Sequence, residues 1–261
     1  MNPLHEELIK KINYIPVGLG NKKFSESFFT DKQGINIAEK NPYYGEYTFH
    51  YWLWKNNIFQ ENKWIGFCQY RKFWVKKNLE FKEINFNEFT DSILKEIDDH
   101  NNYYETIIGE DFFVNQFRFS KFIKHNFKKM FLNPKLFLFK SSRNILFHFD
   151  MMHGDGNLEK AINLLETKER HDFRNFVESE VSFNPHNMFI CKNKDILFSY
   201  YDSLFPWLKR CEEIFGFENL NTYGLRRIYG FLAERYLSYW FKKYTKFRVL
   251  PILFKDLDDF L

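Results

Sequence analysis

Apolar positions recur along the chain with two periods. Spacings of three and four predict helices over residues 1–13, 43–56, 86–98, 157–168, 195–215 (interrupted near Pro206) and 223–243. Short unbroken apolar runs predict strands. Residues 64–70 read as a central strand, 104–108 as a second core strand and 187–191 as a third; 247–254 reads as a final edge strand, because Pro251 cannot donate to a ladder. Residues 14–20 form a strand or turn broken by Pro16 and two glycines, and 21–40 are polar and loop-like. The stretch 117–147 is basic and Phe-rich, with Asn133-Pro134 as its one clear break. Strands alternating with helices predict an α/β fold, a sheet flanked by helices with a helical C-terminal part, as one domain over residues 1–261.

Composition changes this picture little. The 34 Phe, 15 Tyr and 6 Trp raise the aromatic share to 21%; a nucleotide-biased genome accounts for the Phe excess, whereas Tyr and Trp also stack on sugars and bases. A net charge of +4, from 38 basic and 34 acidic residues without a basic arm, argues against a nucleic-acid partner. Three scattered cysteines fit a reducing compartment. With no basic-then-apolar leader and no run near the roughly 18 apolar residues of a span, the expected location is the cytoplasm, with at most peripheral association at the inner face of the membrane.

Four constellations carry candidate chemistry. The loop 36–46 (N-I-A-E-K-N-P-Y-Y-G-E) gathers Asn36, Lys40, Asn41, Tyr44 and Glu46, types that hold a ribose, a phosphate or a sugar ring; the alternative is a solvated loop in which Asn41 or a neighbour caps the next helix. Next, Gln69-Tyr70-Arg71-Lys72 follows an expected strand, where the Arg71 fork and Tyr70 can grip a diphosphate; the alternative is a surface ion pair with Tyr70 and Trp74 in the core. The expected turn 149–156 holds Asp150, His153 and Asp155, to serve as base or metal ligands or simply to cap a helix. Finally, Arg227 and Glu234 lie two helical turns apart beside Arg235, which equally describes a salt-bridged surface. Asp111 ends the loop after the strand at 104–108. No metal site is assigned: His186, His153, Asp150 and Asp155 are the only ligand types nominated.

In order along the chain, V-G-L-G at 17–20, N-I-A-E-K-N-P-Y-Y-G-E-Y-T at 36–48, Y-W-L-W-K-N at 51–56, W-I-G-F-C-Q-Y-R-K-F-W at 64–74, N-M-F-I at 187–190 and G-F-L-A-E-R at 230–235 resemble a family first catalogued as a domain of unknown function in capsule and lipopolysaccharide clusters, now regarded as glycosyltransferases with a GT-A-like fold. The resemblance implies transfer from a nucleoside-diphosphate sugar to a glycan or lipid-linked glycan acceptor, and leaves open a need for Mn²⁺ or Mg²⁺. On this reading Asn36, Lys40, Asn41, Tyr44, Glu46, Tyr70, Arg71, Arg227 and Arg235 bind the donor, and Asp155, Asp111 and Glu234 are the candidate catalytic carboxylates. Two departures stand out. Members carry His before Tyr-Arg-Arg, where this chain has Gln69 and then Lys72 after Arg71, and the family's apolar first strand is expected to be missing. The rival expectation is a non-catalytic carbohydrate-binding or assembly subunit.

Overall fold

Four short strands, in the spatial order Ile65–Gly66, Phe189–Cys191, Thr106–Ile108 and Phe247–Val249, form the main sheet of the computed structural model, which describes residues 3–59, 63–77, 84–97, 103–116 and 139–261. The two inner strands, T-I-I and F-I-C, are buried at every position, as expected of short apolar runs rich in β-branched side chains. Thr106 faces Cys191 on one side and Phe247 on the other, and Ile108 faces Phe189 and Val249. The chain divides into two compact units: residues 1–110, 186–203 and 240–261 form the first and hold this sheet, and residues 111–185 and 204–239 form the second.

In the first unit the run at 64–70 supplies an edge strand rather than a central one. Only Ile65 and Gly66 pair in register, opposite Cys191 and Ile190. A Cβ at Gly66 would lie 3.1 Å from the Ile190 side chain, so this pairing favours the glycine. After Phe67 the chain leaves the sheet, turns at Gln69 and enters a separate ladder, in which Lys72–Trp74 runs antiparallel to Ile252–Phe254. Pro251 therefore divides the expected final strand: Phe247–Val249 is the outer strand of the main sheet, as expected, and Ile252–Phe254 belongs to the second ladder.

Local chemistry explains the helix ends. Phe86–Ser92 begins with a capping box between Asn85 and Glu88. It stops six residues short of the expected end because Ile93 bridges Val75 and the Leu94 N–H donates to the Trp74 carbonyl. The expected helix at 43–56 is two pieces, Asn41–Tyr44 and Tyr47–Asn56, parted at Gly45, whose φ is +60°. On Tyr47–Asn56 the buried His50 lies 2.6 Å from the Tyr201 hydroxyl, and burial pushes its pKa down to about 3.

The second unit is mainly helical, with one two-stranded ladder between Phe112–Phe113 and Ser182–Phe183. Ile145–His153, capped by Asn144, is a helix where the sequence placed the end of the basic stretch and part of a turn, so Asp150 is helical. Asn157–Asn163 ends early and is followed by Thr167–Ser179, whose Phe173 packs against Trp207 and Tyr236. Lys194–Phe215 continues through Pro206 without the expected interruption. The expected helix at 223–243 is divided at Arg227 into Tyr223–Arg226 and Ile228–Tyr244. Residues 117–138 of the basic stretch, Asp98 and the first two residues of the N-terminal helix lie outside the described residues.

Candidate functional site

In the main sheet Ile65–Gly66 and Thr106–Ile108 both run antiparallel to Phe189–Cys191, and Phe247–Val249 runs parallel to Thr106–Ile108. Three strands thus end at one edge, the side on which open α/β sheets take ligands. There the chain beyond Gly66 delivers Gln69, and the chain ahead of Phe189 delivers His186 and Asn187. Glu46, from the start of the helix Tyr47–Asn56, meets them. Its Oε1 accepts from Gln69 Nε2 at 2.9 Å and from Asn187 Nδ2 at 2.8 Å. Gln69 Nε2 also donates to the His186 carbonyl at 2.7 Å, and Lys72 Nζ donates to Gln69 Oε1 at 2.8 Å. The chain of bonds from Lys72 through Gln69 to Glu46 places a cation and a carboxylate on either side of one amide.

The backbone is shaped for this arrangement. His186 and Asn187 are consecutive non-glycine residues with φ of +81° and +53°, a conformation that most side chains avoid and that collects at functional sites. Burial, reinforced by the nearby Lys72 charge, lowers the His186 pKa to about 4, which keeps its imidazole neutral at ordinary pH. Glu46 makes no side-chain cap to its own helix, and neither does Lys40 to Asn41–Tyr44. The Ala38 N–H, at the start of the short turn Ala38–Lys40, is met instead by Asn36 Oδ1.

Other residues singled out in the sequence fall around this unit. Asn36 closes its own loop, donating to the Lys32 and Gly34 carbonyls and accepting from Ala38 N–H. Asn41 Nδ2 donates to the Gly45 carbonyl at 2.8 Å, beside Lys40. Its Cβ would lie 2.9 Å from a Cβ at Gly20, whose φ is +67°, which links the V-G-L-G and N-P-Y-Y stretches. Tyr44 is buried. Arg71 turns to Asp256, Nε to Oδ2 at 2.9 Å, with its guanidinium over the exposed Tyr70 ring; the ion pair and the buried Trp74 match the structural alternative for this segment, and the exposed Tyr70 does not.

In the second unit, Asp111 Oδ1 accepts from Asn184 Nδ2 at 3.0 Å, and Asn184 is held through its backbone by Ser238. The neighbouring Phe112 and Phe183 pair across the small ladder. The Arg235 guanidinium lies over Phe183, pairs with Glu234 and reaches His148 at 3.3 Å. Asp111, Glu234 and Arg235 thus share one neighbourhood. Asp155 is exposed, and Gly156 rather than Asp155 occupies the N-cap of the next helix. Arg227 marks the break between the last two helices. Among the described residues no three His, Cys, Asp or Glu side chains converge as a metal site, so His186, His153, Asp150 and Asp155 form no such group.

Gln69 and Lys72 stand in the segment 69–72 and Asn187 in N-M-F-I, but the sequence alone assigns none of the three a role. Glu46 was selected; its partners are 23 and 141 positions away, a distance no local period reports.

The family profile described as "Domain of unknown function (DUF4422)" matches residues 4–246. No curated protein matches the chain. Among solved structures, the apo structure of the WbbM bifunctional glycosyltransferase superposes with a TM-score of 0.65 at 20% identity, over 87% of this chain and 39% of that one. At that identity the likeness is one of fold: a mixed α/β arrangement of sheets flanked by helices. This chain spans well under half the length of that protein.

Proposed function

The chain belongs to the family described as Domain of unknown function (DUF4422), and from that premise we propose that it is a glycosyltransferase that moves a sugar from a nucleoside-diphosphate sugar to a hydroxyl of a glycan or lipid-linked glycan. The observation that carries this reading is Glu46, held by Gln69 and Asn187 at the edge where the parallel strands end. The glycosyltransferase fold of the solved neighbour supports it.

In the proposed reaction the acceptor oxygen bonds to the anomeric carbon as that carbon's bond to the diphosphate breaks. The nucleoside diphosphate leaves with the electron pair, and the acceptor proton passes to a carboxylate. Lys72 and Arg71 are proposed to neutralise the diphosphate, with Tyr70 stacking on the donor, because cations stabilise a leaving group whose charge grows in the transition state. The partly exposed pair with Asp256 is worth about 1 kcal/mol, so Arg71 can exchange it for a phosphate. Glu46 is proposed to hold donor hydroxyls, with Asn36, Lys40, Asn41 and Tyr44 shaping its loop. Asp111, Glu234 and Asp155 are the candidate bases, and Arg227 and Arg235 further donor-binding cations. Residues 1–261 are proposed to act as one GT-A-type transferase domain, since the family profile runs through both units. Capsular or lipopolysaccharide synthesis in the cytoplasm, with at most peripheral contact at the membrane's inner face, is the proposed setting; no helix among the described residues is long and apolar enough to cross a membrane.

The test is a thermal-shift screen against UDP, GDP, CDP and TDP, each with and without Mn²⁺ or Mg²⁺. A ligand that binds only the folded state must raise the melting temperature. A rise with one nucleotide supports the donor site and names its base and metal requirement. No rise with any of them, alongside binding of sugar alone, supports a carbohydrate-binding subunit instead.

A further inference from the structure

We propose, on the donor-site reading of this edge, that Gln69 is a positioning residue: its one side-chain amide sets Lys72, Glu46 and the turn that carries Tyr70 and Arg71 in a single arrangement. Gln69 Oε1 accepts from Lys72 Nζ at 2.8 Å, and Nε2 donates to Glu46 Oε1 at 2.9 Å and to the His186 carbonyl at 2.7 Å. An amide nitrogen has two hydrogens, so both are used. Charge fixes which way round the amide sits. Turned over, it would set its NH₂ against an ammonium and its oxygen against a carboxylate and a carbonyl, and all three bonds would be lost.

The backbone extends the same control. The Lys72 N–H donates to the Gln69 carbonyl at 3.0 Å, so residues 69–72 close a tight turn with Tyr70 and Arg71 at its tip, and Tyr70 is 58% exposed. The Gln69 side chain ties the base of that turn to Glu46 and to the positive-φ backbone at His186. A lysine stem left to itself samples many rotamers, and a cation stabilises a leaving diphosphate best when it is already in place. Gln69 gives Lys72 that place. An amide has no charged form at ordinary pH, so it holds Lys72 and Glu46 in the same way whatever the pH.

The experiment is nucleoside diphosphate release from UDP-, GDP-, CDP- and TDP-sugars, with a bacterial lipid and glycan extract as acceptor source, by the parent chain, Gln69→Met and Gln69→His. Methionine keeps the side chain's length and loses its three hydrogen bonds, so kcat/KM is expected to fall about tenfold or more with an unchanged melting temperature. A neutral imidazole donates from one nitrogen and accepts at the other, so Gln69→His is expected to recover most of that loss near pH 8. Its protonated form cannot accept from Lys72. The ratio of its kcat/KM to the parent's is therefore expected to drop as pH falls from about 8 to about 5.5, which a role in packing alone does not produce. Glu46, Lys72, Arg71 and His186 face this position in both proteins, and His186 titrates lower, at about 4. Transfer by Gln69→Met as fast as by the parent, or a Gln69→His ratio that ignores pH, overturns the role of Gln69 and leaves the donor site standing. A parent chain that releases nothing from any donor overturns the donor site and the role of Gln69 with it. If Gln69→Met does not fold, the Gln69→His ratio decides alone.

Discussion

Asn187 donates to Glu46 Oε1 at 2.8 Å across 141 positions of sequence. That bond ties the residue just ahead of a central strand to the start of an N-terminal helix, and Gln69 donates to the same oxygen. One carboxylate oxygen therefore fixes three separated segments at the edge of the sheet.

The hydrogen bond and the backbone of Asn187 can be separated by mutation. Asn187→Ala should lose the amide, costing about 1–3 kcal/mol, and should also strain a residue with φ of +53° by roughly 1–2 kcal/mol. Asn187→Gly relieves the strain but still lacks the amide, so urea unfolding should find it the more stable of the two. Equal stability would show that the backbone at Asn187 carries no strain.

Buried His50 sets a pH dependence. Its folded pKa of about 3 lies below the ordinary value of 6.5, so the unfolded chain takes up the proton first. Stability is full above about pH 6.5 and falls as pH drops towards 3. At pH 5 the cost is about 2 kcal/mol. His50→Gln removes the titrating group, and its loss of stability between pH 7 and pH 5, from urea midpoints, should be smaller by about that amount. His148 and His153, also lowered by burial, keep the remaining slope in the same direction.

Arg71 and Asp256 should part company in function. The pair is partly exposed on both sides, 41% and 29%, so either alanine variant should change unfolding free energy by no more than about 1 kcal/mol. Arg71→Ala should nevertheless reduce kcat/KM for the donor at least tenfold, whereas Asp256→Ala should retain it. Matching kinetics for the two variants would remove Arg71 from the donor site.

The sequence made some of this legible, and physics explains the remainder. The inner strands Thr106–Ile108 and Phe189–Cys191 were visible because burial on both faces requires unbroken apolar runs. The run at 64–70 looked equally central, but the chain leaves the sheet after Phe67, and composition does not reveal which strand pairs stop after two residues. Phe86–Ser92 ended early because Ile93 and Leu94 were captured by Val75 and Trp74, a tertiary override of local period. Pro206 did not divide Lys194–Phe215, since packing of Leu204, Trp207 and Leu208 into the core holds the helix through it. The loop 36–46 points to Glu46, while the roles of Gln69, Lys72 and Asn187 come from contact between segments, which no local pattern reports.

The Glu46 cluster is proposed to hold a nucleotide-sugar donor. The most direct measurement is release of nucleoside diphosphate from a set of UDP-, GDP-, CDP- and TDP-sugars, with a bacterial lipid and glycan extract as acceptor source, comparing the parent chain with Glu46→Gln. The parent is expected to release nucleoside diphosphate from at least one donor, and Glu46→Gln to show a kcat/KM at least tenfold lower with a melting temperature within a few degrees of the parent. A folded parent chain that releases nothing, or a Glu46→Gln variant that turns over as fast as the parent, would contradict it.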